Sequence, residues 1–423
     1  MRFTRRQALL AAAAAGAAAV LPSPAMAGTG TQALATIPNA AYSWWAQPLA
    51  VNDGAHTWIA TVARMGTHRL FKVNPATAQI QTVELSREFY PNRPDDHNTP
   101  AIAFDPDRSH LMVFYTGHNH DARLRYRSVD RTTLALGPER VLTFSGAITY
   151  AQVLYHAGRM VVLTRVASST WRYRISDDFG ESWGPERVLM DARPGGFGQV
   201  YVIAKPVNDA GESMFAFYGH PVNSRYRNVD LAKIHFDSLD VTTMTGQVVA
   251  NLFDAGGPGF EPGRLDAAIT PTGNHRVRLL DLSTINGRPA ICYAVWNGGT
   301  SPAAYKVKMY RDGRFVTPPW SLATGDPFGF NPATKYVGGL VVGRGDHLYS
   351  ARRNNGTGGW HVEQWAWSET QGTFTLDREL ARDAHSALAR PFVPSQDGAT
   401  NVIFQRIKHY GGYTDYDIDT HIH

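Results

Sequence analysis

Short apolar runs, alternating with polar positions and broken by turn residues, recur from about residue 40 to the end of the chain. Such a pattern predicts β-strands joined by tight turns. Ala101–Asp105 reads as one strand, Pro106-Asp107-Arg108 as a turn and Leu111–Tyr115 as the returning strand. Ala151–Tyr155 and Met160–Thr164 form a second hairpin of the same kind. After residue 30 no long stretch carries helical periodicity.

The hairpins belong to a repeat. Arg125–Leu142 begins RYRSVD and ends GPERVL; Arg172–Leu189 begins RYRISDD and ends GPERVL, offset by 47 residues without insertion. A period of that size in strand-patterned sequence predicts an all-β, seven-bladed β-propeller. The expected blades are 41–85, 98–142, 148–189, 199–249, 275–322, 335–380 and the remainder from His385. The Gly/Pro-rich stretch 251–270 reads as a long loop between blades four and five. No low-complexity linker interrupts residues 28–423, which are expected to form one domain.

Residues 1–27 read differently. Arg5 and Arg6 precede an alanine-rich apolar run, and Ala25-Met26-Ala27 ends it as a small-x-small cleavage site. This is the pattern of a twin-arginine (Tat) export leader, so the Tat machinery is an expected partner and secretion the expected fate. The run is too short and alanine-dominated for a membrane span, so no stable membrane association is expected after cleavage. Cys292 stands alone, which excludes an intrachain disulfide. The formal charge of +5 includes Arg2, Arg5 and Arg6; without them 38 basic residues face 36 acidic ones. No basic stripe remains, so nucleic acid is not an expected partner.

Ser176–Trp183 fits S-x-D-x-G-x-x-W, the Asp-box turn, and is expected to be structural. The candidate chemistry lies at hairpin corners. His97 precedes the first strand of blade two and His118 follows the second; Tyr150 and Arg165 hold the matching corners of blade three. Neighbouring hairpins then deliver two imidazoles, a phenol and a guanidinium to one rim. In blade six, Tyr336 and Arg352-Arg353 repeat the corner; blade seven offers Arg390 and Arg406. These arginines are candidates for binding further acidic groups or for ordinary salt bridges. Trp171 and Trp296 are candidates for stacking on sugars or for packing. His421 and His423 read as a frayed tail rather than a metal site.

The segments DDHNTPAIAFDPD, VFYTGHNHD, ITYAQV and LTRVASSTWRYRISDDFGESW resemble the BNR-repeat polysaccharide lyase propellers, ulvan lyases and related rhamnose–glucuronate lyases among them. The likeness is densest over residues 93–189. It implies a seven-bladed propeller acting on a uronate-containing polysaccharide. It implies active-site histidines at His97 and His118, an acid/base tyrosine at Tyr150, a carboxylate-neutralising arginine at Arg165, and substrate contacts at Tyr218 and His220. Arg352 and Arg390 are carried as further substrate contacts. Some relatives hold a structural metal through cysteine and histidine; with Cys292 alone, neither metal nor other cofactor is expected here.

A uronate C5 hydrogen is weakly acidic because the adjacent carboxylate is already charged. Arg165 can neutralise that carboxylate, His118 or Tyr150 can take the proton, and Tyr150 or His97 can protonate the leaving O4. A glycoside hydrolase, rhamnosidase or sialidase-like, is the alternative. Most such hydrolases use paired carboxylates, and Asp95 and Asp96 diverge if the chain there is extended; a sialidase would need an arginine triad with a tyrosine nucleophile, and no Arg-Ile-Pro segment of the kind sialidases carry is present. A non-catalytic glycan-binding propeller is the third reading.

Overall fold

The structure, a computed structural model, describes residues 33–86, 94–207, 211–297, 303–324, 336–354, 356 and 358–423. The expected export leader (residues 1–27) and Lys335, the expected start of blade six, lie outside them. The described strands form seven antiparallel sheets. Sheet one holds Ala50–Asn52, Thr57–Val62, His68–Val73 and Ile80–Ser86. Sheet two holds Ala101–Ala103, His110–Tyr115, Arg123–Asp130 and Arg140–Thr143. Sheet three holds Ile148–His156, Arg159–Val166, Thr170–Ser176 and Arg187–Asp191. Sheets four, five and six open with Gly198–Pro206, His275–Ile285 and Gly339–Val342. Sheet seven opens with Ala387–Phe392.

Neighbouring sheets share buried faces. Val51 and Trp58 of sheet one pack with Ile102 and Val113 of sheet two, and Phe114 of sheet two with Val162 of sheet three. One continuous core joins sheets three, four and five through Leu163, Phe217 and Leu279. Ala294 meets Leu340 between sheets five and six, and Val362 meets Phe404 between six and seven. Phe392 and Ile403 of sheet seven pack against Ile59 and Phe71 of sheet one. Face-to-face sheets in chain order, with the last against the first, are a β-propeller arrangement.

Three expectations are revised. Asp266–Ile269, inside the expected long loop, is a strand paired with Val229–His235. Ala35–Ile37, ahead of the expected first blade, pairs with Asp415–Ile422 and joins sheet seven. The C-terminus is therefore not frayed: that pairing holds His421, and both His421 and His423 stack on Phe404.

The sequence repeat has a local cause. Arg125 and Glu139 reach across sheet two at 3.9 Å, and Arg172 and Glu186 across sheet three at 2.9 Å. Arg127 donates to the Gly137 carbonyl and Arg174 to that of Gly184. The Asp-box forms as expected. Ser176 Oγ accepts from the Gly180 amide at 2.7 Å, and Asp178 accepts from the Ser182 amide at 2.9 Å. Trp183 donates to the Tyr126 hydroxyl beneath the turn.

Candidate active site

The four corner residues meet. The His97 and His118 rings stack at 4.6 Å, Tyr150 lies 5.7 Å from His97, and the Arg165 guanidinium sits 4.7 Å from the Tyr150 ring. The local chain explains each placement. Asp95 caps a short 3-10 turn, Asp96–Asn98, by accepting the His97 amide at 2.9 Å. The two aspartates do not diverge, as an extended chain would require: Asp95 and Asp96 each place an oxygen 3.1 and 3.0 Å from His97 Nδ1. His118 is anchored through its amide to Asn98 at 2.6 Å, and its Nδ1 lies 2.9 Å from the second oxygen of Asp95.

Tyr150 occupies a bulge. Thr149 pairs with Arg165 and Gln152 with Leu163, so Tyr150 and Ala151 together oppose Thr164. Tyr150 takes φ +69°, a conformation costly for an aromatic residue. Arg390 repeats the device in sheet seven, at φ +53° between Ala389 and Phe392. Bulges at these inner strands re-aim side chains toward the centre.

Electrostatics separate the two imidazoles. Burial alone lowers His97, but the hydrogen bonds and charges of Asp95 and Asp96 outweigh it and raise it to about 9. His118 ends below its ordinary value: burial and the His97 charge exceed the help from Asp95. Asp95, despite burial, is held at about 2 by the two histidines. At neutral pH a charged His97 therefore stacks on a neutral His118. With the His118 Nδ1 proton directed at Asp95, its Nε2 carries a lone pair. Burial pushes the Tyr150 hydroxyl well up, so it stays protonated.

One group has spare capacity. The Nε and Nη1 of Arg165 are buried without a hydrogen-bond partner, and the buried Tyr150 hydroxyl is engaged with Tyr201. Leaving buried donors unmade is costly, which makes the Arg165 guanidinium a candidate to receive a ligand. Tyr218 and His220 lie nearby, each 5.6 Å from the Tyr201 ring, which also receives the Arg165 guanidinium at 5.2 Å. His220 Nδ1 accepts the Val222 and Asn223 amides at 3.1 and 3.0 Å, which puts its proton on Nε2. Burial, then Arg278 and Arg165, lower it to about 3.

The other candidates are engaged elsewhere. The Arg390 guanidinium pairs with Asp96 at 2.7 Å and bonds the Tyr42 carbonyl, so it fixes the carboxylate behind His97 rather than facing a substrate. Arg352 makes a two-pronged pair with Glu363, both bonds at 2.9 Å, and no contact with the four corner residues. Arg406 pairs with Asp383 at 2.7 Å. Trp171 and Trp296 are buried packing residues.

Residues that sequence reasoning missed form the centre. Trp44 and Trp45 enter from the segment before sheet one. Trp45 stacks on His97 at 5.2 Å and on Tyr201 at 5.0 Å, and donates to the Tyr218 hydroxyl at 2.9 Å. Trp44 lies against Tyr336, Arg278 and Arg390. The signal was present: two adjacent tryptophans outside any predicted strand must be buried somewhere. Donor atoms of Asp95, His97 and His118 lie within 4.8 Å of one another, close enough to gather about a cation. Here both imidazole Nδ1 atoms turn to the Asp95 carboxylate, and the trio is satisfied by hydrogen bonds alone.

No protein family matches the chain, and no curated protein does. Solved structures match in fold. One is an ulvan lyase, described as a new family of polysaccharide lyase, bound to -[GlcA(1-4)Rha3S]-. It aligns with TM-score 0.66 and 13% identity over 93% of this chain and 95% of that one. A second ulvan lyase structure gives TM-score 0.66 and 12% identity over the same shares. The β-propeller domain of a Pyrococcus furiosus protease matches more loosely, at TM-score 0.44 and 8% identity over 91% of this chain and 95% of that one. Identities this low establish a shared fold and leave the chemistry to the site.

Proposed function

We propose that the protein is an exported polysaccharide lyase, a closed seven-bladed propeller that cleaves a uronate-containing glycan of the rhamnose–glucuronate type by β-elimination. One observation carries this reading. A neutral imidazole with a free Nε2, a protonated phenol and an incompletely bonded guanidinium share one buried cluster. Arg165 receives the uronate carboxylate through Nε and Nη1 and stabilises the charge that spreads onto it. His118 Nε2 takes the C5 proton. The C5–H electron pair becomes the C4=C5 double bond, the C4–O4 bond breaks, and the Tyr150 hydroxyl protonates O4. Return of the proton from the His118 imidazolium to the Tyr150 phenolate, through solvent, restores both. Tyr218 and the Nε2–H of His220 orient the sugar. Asp95 and Asp96 are committed to His97, His118 and Arg390, which disfavours the paired-carboxylate hydrolysis of a glycosidase.

The test is incubation of the mature chain with ulvan, followed by ultraviolet absorbance of the unsaturated product. His118→Ala and Arg165→Ala should each lose activity by about 10²-fold or more. Tyr150→Phe should lose turnover comparably with little change in Tm, because the ring packing is kept and only the hydroxyl's interaction with Tyr201 is lost. Full activity in His118→Ala and Arg165→Ala, or new reducing ends without absorbance, would overturn the reading. Activity in the culture fluid should vanish when Arg5 and Arg6 are both changed to Lys.

A further inference from the structure

We infer that a cationic groove between sheets four and five binds a further anionic stretch of the same glycan, one or more sugars from the reacting uronate. This rests on the lyase reading for the identity of the polymer. The groove encloses about 490 Å³. It is lined by Ile269, Val277, Tyr293 and Val295 together with Lys306 and Lys308, and no carboxylate lines it among the described residues.

Strand register joins it to the site. Tyr218 pairs with Val229, and Val229 pairs with Ile269. Two strand spacings, about 10 Å, therefore separate the site's tyrosine backbone from the groove lining, on the same rim. Neighbouring sugars on one chain span that interval.

The charge there is uncompensated. Lys308 Nζ donates to the Ala268 carbonyl at 2.9 Å, and burial holds its ammonium below the usual range. Lys306 has no ion pair among the described residues. Arg276, whose strand partner Trp296 lines the groove, is lowered by burial and then by the nearby Arg227. Arg227 itself donates to the Gly273 carbonyl at 3.1 Å. Arg125, Arg140 and Arg193, by contrast, each face a carboxylate, of Asp121, Glu181 and Asp191. Two lysines in the lining, with Arg276 one strand position from it and no acid among the described lining residues, favour an anionic occupant.

The experiment compares wild type with Lys306→Ala/Lys308→Ala on ulvan polymer and on an ulvan disaccharide. The readouts are turnover and retardation in gels containing the polymer. Polymer affinity should fall about tenfold at low salt, with a shallower salt dependence and an unchanged kcat. Disaccharide kinetics should be unchanged. Unaltered polymer affinity would overturn the inference, and so would an equal loss on the disaccharide. Gel retardation separates this inference from the reading beneath it. If wild type binds ulvan without cleaving it and the double variant binds less, the groove stands and the lyase assignment falls. Lys306→Glu alone, at a partly exposed position with its backbone pairing retained, gives the same direction should the double variant fold poorly.

Discussion

At the scale of single residues, the two stacked histidines are the most informative pair because their environments push them apart. His97 is raised to about 9 from 6.5, so it contributes stability fully below pH 6.5 and loses it as pH rises through 9. Asp95 is lowered to about 2 from 3.8, so its contribution is present above pH 3.8 and lost as pH falls through 2. Melting temperature should therefore hold between about pH 4 and 6.5 and decline toward pH 9; His97→Gln should flatten that decline. On the proposed reading, activity follows His118. Because it titrates below 6.5, kcat/KM should fall only on the acid side of that value, and His97→Gln should move the acid limb upward by removing the neighbouring charge. An unmoved limb would separate the two rings electrostatically. His97, His118, Tyr150 and Arg165 could be found from sequence because hairpin corners place side chains predictably. Asp95 and Trp45 could not. Their roles depend on a one-turn helix and on a loop reaching residues 52 to 173 positions away.

Elements were legible where the apolar alternation was regular and obscure where the backbone departs from it. The hairpins of sheets two and three lie where the pattern puts them. The bulges at Tyr150 and Arg390 left no mark, since neither position carries the glycine that a positive φ ordinarily favours. Asp266–Ile269 was hidden by the glycines and prolines around it. The Asp-box was fully legible, and its glycine can be tested. Gly180 has φ +88°, and an added Cβ would meet Met160 Cε at 3.0 Å. Gly180→Ala should cost about 1–3 kcal/mol, read as a lower Tm, with kcat unchanged. Loss of activity in well-folded protein would give the turn a role beyond structure.

For the whole molecule, the repeat period announced stacked sheets, but not how the two chain ends meet. A three-residue strand carries no periodicity of its own. Ala35–Ile37 completes sheet seven, and its Ala35 and Ile37 side chains enter the core shared with sheet one. Removing residues through Ile37 should lower Tm by several degrees and lose cooperativity first between sheets seven and one. Hydrogen exchange in Asp415–Ile422 would report it, and unchanged protection there would show that the ends need no such clasp.

The tryptophan pair has a consequence for traffic. With Trp44 and Trp45 lodged among rings from several sheets, the hub is stoppered like a bottle. A long sugar chain cannot be drawn through it as thread through a bead. On the proposed reading it would have to approach from one end of the hub, and both fragments would leave by that same side.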